Sequence, residues 1–120
     1  MTMEISQRFF FDAAHTLRRE IEAEGSRRVH GHTYHAEVTL RGTPDPQTGM
    51  VWDLGHLRRE IAALREQLDH HFLDEVPGLG APTLENLCRY IWDALQPRVP
   101  GLCAVTVERH GIGDRCVYRP

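Results

Sequence analysis

The sequence predicts an α+β fold of order ββααββ, a four-stranded antiparallel sheet with two helices on one face, and three patterns carry that prediction. Two long stretches near the start alternate apolar and polar residues. Two stretches in the middle repeat leucine and isoleucine at three- and four-residue steps, and two short strand-like stretches close the chain around a glycine-rich turn. No internal repeat, low-complexity segment or linker divides the chain. Its 120 residues suffice for one core, so residues 1–120 are read as a single domain.

In the first element Ile5, Gln7, Phe9, Phe11, Ala13 and His15 share one parity, the mostly apolar face of a strand that ends in His15. The segment from Thr16 to Val29 carries Arg18, Arg19, Glu20, Glu22, Glu24, Arg27 and Arg28 around Gly25-Ser26. It is too polar to pack and long for a connection, which marks a functional or disordered loop. A second strand then places His30, His32, Tyr34, Ala36, Val38 and Leu40 on one face and Thr33, His35, Glu37, Thr39 and Arg41 on the other.

Gly42 to Gly49, with Pro44, Asp45 and Pro46, is turn chemistry. Asp53 is placed to cap a helix whose stripe is Leu54, Leu57, Ile61, Leu64 and Leu68, stopping near Asp69-His70-His71. Pro82-Thr83 announces the second helix, with Thr83 as its cap and Leu84, Leu87, Ile91 and Leu95 as its stripe, ending before Pro97. Strands over Leu102–Arg109 and Arg115–Tyr118 follow, joined through Gly111 to Gly113. Both helices on one face leave the other face and both edges open, and self-association is the expected remedy.

Eight histidines occur in this chain, and the tightest grouping is His30-Gly31-His32. On a strand His30 and His32 point the same way and can grip one ion, while Gly31 keeps the backbone close. Taken alone, an H-x-H pair reads more readily as two solvent-exposed strand-end histidines, since short motifs match often by chance. A hairpin across the long loop, however, sets the end of the first strand against the start of the second and brings His15 beside the pair. Three imidazoles with a fourth position left for water or substrate is a zinc site of catalytic style.

The formal net charge of −3 argues against a nucleic-acid partner, since phosphate contacts demand a basic face. No stretch is apolar for long enough to span a bilayer, and Met1-Thr2-Met3-Glu4 lacks signal-peptide character, so a cytoplasmic protein with no membrane partner is expected. Cys88, Cys103 and Cys116 are odd in number and far apart, which indicates neither a disulfide framework nor a thiolate metal site.

Six segments, in order, resemble the 6-pyruvoyl-tetrahydropterin synthase and 6-carboxy-tetrahydropterin synthase family of the tunnelling fold. They are Phe11-Asp12-Ala13-Ala14-His15, Val29-His30-Gly31-His32-Thr33-Tyr34, Gly49-Met50-Val51-Trp52-Asp53-Leu54, Leu68-Asp69-His70-His71, Pro82-Thr83-Leu84-Glu85-Asn86, and Val107-Glu108. The resemblance implies zinc on His15, His30 and His32. It also implies three chains closing a twelve-stranded barrel, two such rings stacking into a hexamer, and active sites at subunit boundaries.

Carried over by residue, the resemblance makes Asp69 and His70 a proton-relay pair, Glu108 the acceptor for the pterin 2-amino group and ring N3–H, and Thr83 and Glu85 part of the substrate pocket. The plainer readings are a helix end for Asp69-His70, a solvated acid for Glu108 and N-capping for Thr83. The family usually places a cysteine four residues before the first histidine of H-G-H, and here that position is Ser26. A serine hydroxyl is a far poorer base than a thiol, and Glu24 and Glu22 lie two and four residues before it.

The implied reaction takes 7,8-dihydroneopterin triphosphate to 6-carboxy-5,6,7,8-tetrahydropterin, the queuosine precursor, with Arg18, Arg19, Arg27 and Arg28 near enough in sequence to meet the triphosphate. Alternatives are a homologue forming the 6-pyruvoyl or 6-hydroxymethyl product, or a catalytically impaired zinc and pterin binder. A small zinc hydrolase outside the family would need a general-base glutamate beside the ligands, and no H-E-x-x-H helix supplies one.

Overall fold

The computed structural model describes residues 1–120. Strand β1 (Met3–His15) and strand β2 (His30–Gly42) form one long antiparallel hairpin whose register runs without a slip from Met3 opposite Gly42 to His15 opposite His30. The segment that joins them reads in the sequence as a functional or disordered loop. Instead it contains a short helix, α1 (Ala23–Arg27), entered through Glu22 at a left-handed φ of 57°. The alternation that reveals strands carries no signal for so short a helix built around a glycine, and only Ser26 of its residues is buried.

Helix α2 (Leu54–Arg65) starts where Asp53 accepts a hydrogen bond from the Gly55 N–H at 2.7 Å. Regular α-helix ends at Arg65, earlier than the apolar stripe suggested. Leu68 is nevertheless fully buried, because successive turns carry the stripe onward. Helix α3 (Leu84–Leu95) begins under the Thr83 side chain, which accepts from the Asn86 N–H at 3.1 Å. Strands β3 (Leu102–Arg109) and β4 (Asp114–Tyr118) complete a sheet of order β1-β2-β3-β4, with β4 starting one residue earlier than expected.

The core lies between the sheet and the two long helices. Phe11, Tyr34, Val38 and Leu40 come from the first hairpin and Val105 and Val107 from β3; Leu57, Leu87, Ile91 and Leu95 meet them from α2 and α3. This is the face that strand parity assigned to the apolar set. Gly101, at φ 73°, supports the turn into β3: an added Cβ would lie 2.5 Å from the Arg41 carbonyl oxygen, so only glycine fits.

Pairing of β2 with β3 runs from His35 opposite Glu108 to Leu40 opposite Leu102. The His30–Tyr34 end of β2 therefore projects past its β3 partner, and the molecule is elongated, with principal extents of 56 × 24 × 22 Å. No helix is long and apolar enough to cross a membrane.

Candidate metal centre

At that projecting end the predicted histidines converge. One ligand nitrogen each from His15, His30 and His32 lies within 4.8 Å of the others, and His15 is buried while the other two are half-buried. The uninterrupted β1–β2 register places them, since His15 faces His30 directly and His32 follows on the same face.

The ring nitrogens are oriented from behind. His15 Nδ1 lies 3.0 Å from the Pro82 carbonyl oxygen and 3.2 Å from the Tyr34 hydroxyl, and His30 Nδ1 lies 2.7 Å from the Arg28 carbonyl oxygen. Each Nδ1–H therefore donates to a carbonyl, which leaves a bare lone pair on each Nε2. Those two Nε2 atoms are only 3.0 Å apart, and His32 Nε2 is buried with no hydrogen-bond partner. Two lone pairs at that distance repel unless a cation lies between them, and a buried ring nitrogen left without a partner is costly. The residues fit a metal ion bound through three imidazoles.

Electrostatics favour the ligating form. Burial lowers the pKa of His15 and takes that of His32 down to about 4, with the neighbouring histidine and Arg109 charges adding to the effect. Both rings are neutral near pH 7 and offer lone pairs without first losing a proton.

The remaining sequence-predicted residues are distributed around this centre. Ser26, buried in α1, lines a cavity of about 500 Å³ with His30, His32, Glu22 and Arg109. Thr83 and Glu85 line a second cavity, of about 600 Å³, with His15, Tyr34, Arg18 and Arg19. Glu24 is instead held by Arg28 at 3.0 Å on the surface.

Asp69 and His70 lie along the outer edge of β1, where the His70 N–H donates to the Asp12 carbonyl at 2.6 Å and the Ala14 N–H to that of His71 at 3.1 Å. His70, at a left-handed φ of 59°, shares an open groove with Gly31, His32 and Thr33. Asp69 accepts from the Asp12 N–H at 3.0 Å and meets His70 Nδ1 at 2.9 Å and Arg65 at 3.3 Å. The Asp12 N–H first, then the His70 hydrogen bond, hold its carboxyl below the usual aspartate pKa.

Glu108 is not with the trio. It pairs with His35, whose parity is opposite to that of His30 and His32, so it stands on the other face of the sheet. There its carboxylate is 3.6 Å from His110, whose ring stacks on His35 with centroids 3.8 Å apart.

Sequence reasoning passed over Arg109, Asp114 and Tyr34. Val105-Val107-Arg109 puts a charge in line with an apolar face, and that parity was the available signal for Arg109. The Pro82 contact had no signal in the sequence, being a backbone carbonyl delivered by the α3 cap.

The histidine cluster is one that could hold a metal ion, and the fold that carries it is that of the tetrahydropterin synthases. The solved structure of Caenorhabditis elegans 6-pyruvoyl tetrahydropterin synthase aligns with 100% of this chain and 96% of its own, at a TM-score of 0.88 and 28% identity. The model of the 6-pyruvoyl tetrahydropterin synthase family matches residues 4–120, and the chain belongs to that family.

It is 35% identical to human 6-pyruvoyl tetrahydrobiopterin synthase over 111 residues, covering 81% of this chain and 77% of the human one. Identity to the 6-carboxy-5,6,7,8-tetrahydropterin synthase of Synechocystis is 36% over 110 residues, 86% of this chain and 83% of that one. The protein is thus a lyase of the tetrahydropterin synthase type.

Proposed function

We propose that this enzyme is zinc-dependent and converts 7,8-dihydroneopterin triphosphate to 6-carboxy-5,6,7,8-tetrahydropterin, a queuosine precursor, with loss of acetaldehyde and triphosphate. The observation that carries the metal half of the reading is the 3.0 Å approach of the His15 and His30 Nε2 atoms beside the orphaned Nε2 of His32. An all-imidazole set with an open fourth position suits zinc. The reaction half is supported by the likeness to the Synechocystis enzyme over most of both chains.

His15, His30 and His32 would hold the ion, which when bound supplies a Lewis acid for the hydroxyls of the substrate side chain. The other roles fall to side chains. Asp69, kept ionised, fixes the His70 tautomer with Nδ1–H toward itself, leaving Nε2 to take or give a proton and stabilising the imidazolium that results. Glu108 accepts two parallel hydrogen bonds from the pterin 2-amino group and N3–H. Thr83 and Glu85 wall the pocket beside His15, and Arg18 and Arg19 in the same cavity face the triphosphate.

Because Glu108 stands on the opposite face from the trio, one chain alone does not complete this site. Association into rings, three chains to a barrel and two rings to a hexamer, brings the anchor of one subunit to the metal of another. The open sheet edges favour such closure.

A second reading rests on Ser26, the hydroxyl beside His30 and His32 where the family usually has a thiol. It makes the protein a former of the 6-pyruvoyl or 6-hydroxymethyl product, or an impaired zinc and pterin binder. Incubating zinc-loaded protein with 7,8-dihydroneopterin triphosphate and identifying the products by mass decides between them. Acetaldehyde together with the 6-carboxy product supports the first reading. Triphosphate release without acetaldehyde, or pterin binding without turnover, selects the second.

A further inference from the structure

Arg109 ends β3 on the face that carries Val105 and Val107, and so it enters the region of the histidine trio rather than solvent. Its side chain is only 13% exposed. One terminal nitrogen, Nη2, bonds the Asp114 carboxylate, the residue directly opposite it in the β3–β4 hairpin. Its Nε–H is buried and bonds nothing. Arginine presents a planar fork of donors matched to a two-oxygen acceptor, and an unused buried donor on that fork is costly.

The surroundings are basic. In the cavity beside His15, Arg18, Arg19, Arg109 and Arg115 stand against only Glu85 and Asp114. Arg109 and Asp114 also line the neighbouring cavity that holds Ser26, His30 and His32, so the pair stands where both open toward the metal centre. Asp114 is 43% exposed, and water can take over its hydrogen bonds when it swings away.

We infer that Arg109 is an oxyanion-binding specificity residue that recognises a phosphoryl or carboxylate group on the C6 side chain of the pterin, with Asp114 as its displaceable counter-ion. The inference deepens the functional reading above and rests on it for the pterin. In the free protein Asp114 occupies part of the fork. An incoming oxyanion takes its place and gains the Nε–H as well, so the site favours ligands whose side chain carries negative charge near the metal.

The test is titration calorimetry of the zinc-loaded full chain with inorganic tripolyphosphate, repeated on zinc-free protein so that the arginine is read apart from the metal. Arg109→Gln is expected to raise Kd about ten- to hundredfold with zinc content unchanged, the loss of a charge-assisted pair. Asp114→Asn is expected to lower Kd, because the competitor is gone while the arginine remains. A purely structural role in the hairpin predicts the reverse for Asp114→Asn.

An unchanged Kd in Arg109→Gln, or a Kd in Asp114→Asn at or above that of the unaltered protein, overturns the assignment. Should Arg109→Gln fail to fold, Asp114→Asn decides alone. A parallel comparison of pterin-6-carboxylate with pterin identifies the source: discrimination lost in Arg109→Gln assigns the product carboxylate, and tripolyphosphate binding lost without it assigns the phosphoryl group. If the protein binds tripolyphosphate through Arg109 yet leaves dihydroneopterin triphosphate unchanged, the functional reading fails and the oxyanion site stands.

Discussion

The Nε2 atoms of His15 and His30 face each other at 3.0 Å while the Nδ1 of each is taken by a backbone carbonyl. With Nδ1–H donated to a carbonyl on each ring, a cation held between the two Nε2 atoms accounts for the contact. One zinc per chain is the expected stoichiometry. His30→Ala and His32→Ala should lose most of it by metal analysis, while circular dichroism shows the fold retained, because the core of Phe11, Val38, Leu87 and Val105 does not depend on the ion. Undiminished zinc in either variant sinks the assignment.

The same burial makes the zinc-free protein sensitive to acid. His32 has a native pKa of about 4 against an ordinary 6.5, so between those values the unfolded chain binds a proton that the native chain refuses. Stability is therefore full above pH 6.5 and falls as pH drops toward 4, with His15 acting in the same direction. The slope approaches at most about 1.4 kcal/mol per pH unit for each group, and less for His32, which is partly open to solvent. Urea midpoints across this range should decline, and His32→Asn should flatten the decline. Zinc should raise the midpoint at pH 7 and lose that effect at pH 5, since protons compete for the ligands.

Glu108 tests the substrate half independently of the metal. Glu108→Gln replaces an acceptor by a donor opposite one pterin N–H, at a cost of about 1–3 kcal/mol in binding free energy. Zinc content should not change, because Glu108 lies on the other face of the sheet from the trio. Unaltered pterin affinity in calorimetry contradicts its role as anchor.

What the sequence revealed of this site follows from strand periodicity. A period of two fixes which residues share a face, and antiparallel pairing across one loop fixes which ends meet, so His15, His30 and His32 are legible before any coordinates. Helix caps at Asp53 and Thr83 are legible for the same local reason. Contacts set by tertiary packing are not: the Pro82 carbonyl behind His15, the left-handed His70 and the α1 turn that buries Ser26 depend on segments distant in sequence or on isolated backbone angles. Parity does place Glu108 and His35, but the separation of Glu108 from the trio emerges only with the β2–β3 register, which no turn between adjacent strands dictates.

Ser26 is the position at which the proposed activity is best tested. It is buried in α1 and lines the cavity of His30 and His32, so a thiol introduced there would stand in the histidine cavity together with Arg109, whose positive charge favours its ionisation. With serine in place the expected turnover of dihydroneopterin triphosphate is low or redirected, since losing one general base commonly costs about a hundred- to ten-thousandfold. Ser26→Cys should raise it, with a rate that climbs with pH as the new thiol ionises and a zinc content that stays the same. If the unaltered protein already turns over rapidly and Ser26→Cys adds nothing, another group supplies the base. Of the two nearby acids, Glu22 lines the same cavity, held by Arg19 at 3.1 Å, whereas Glu24 pairs with Arg28 at the surface. Glu22→Gln should then abolish the reaction and Glu24→Gln leave it intact, and the opposite outcome would require α1 to rearrange around the bound substrate.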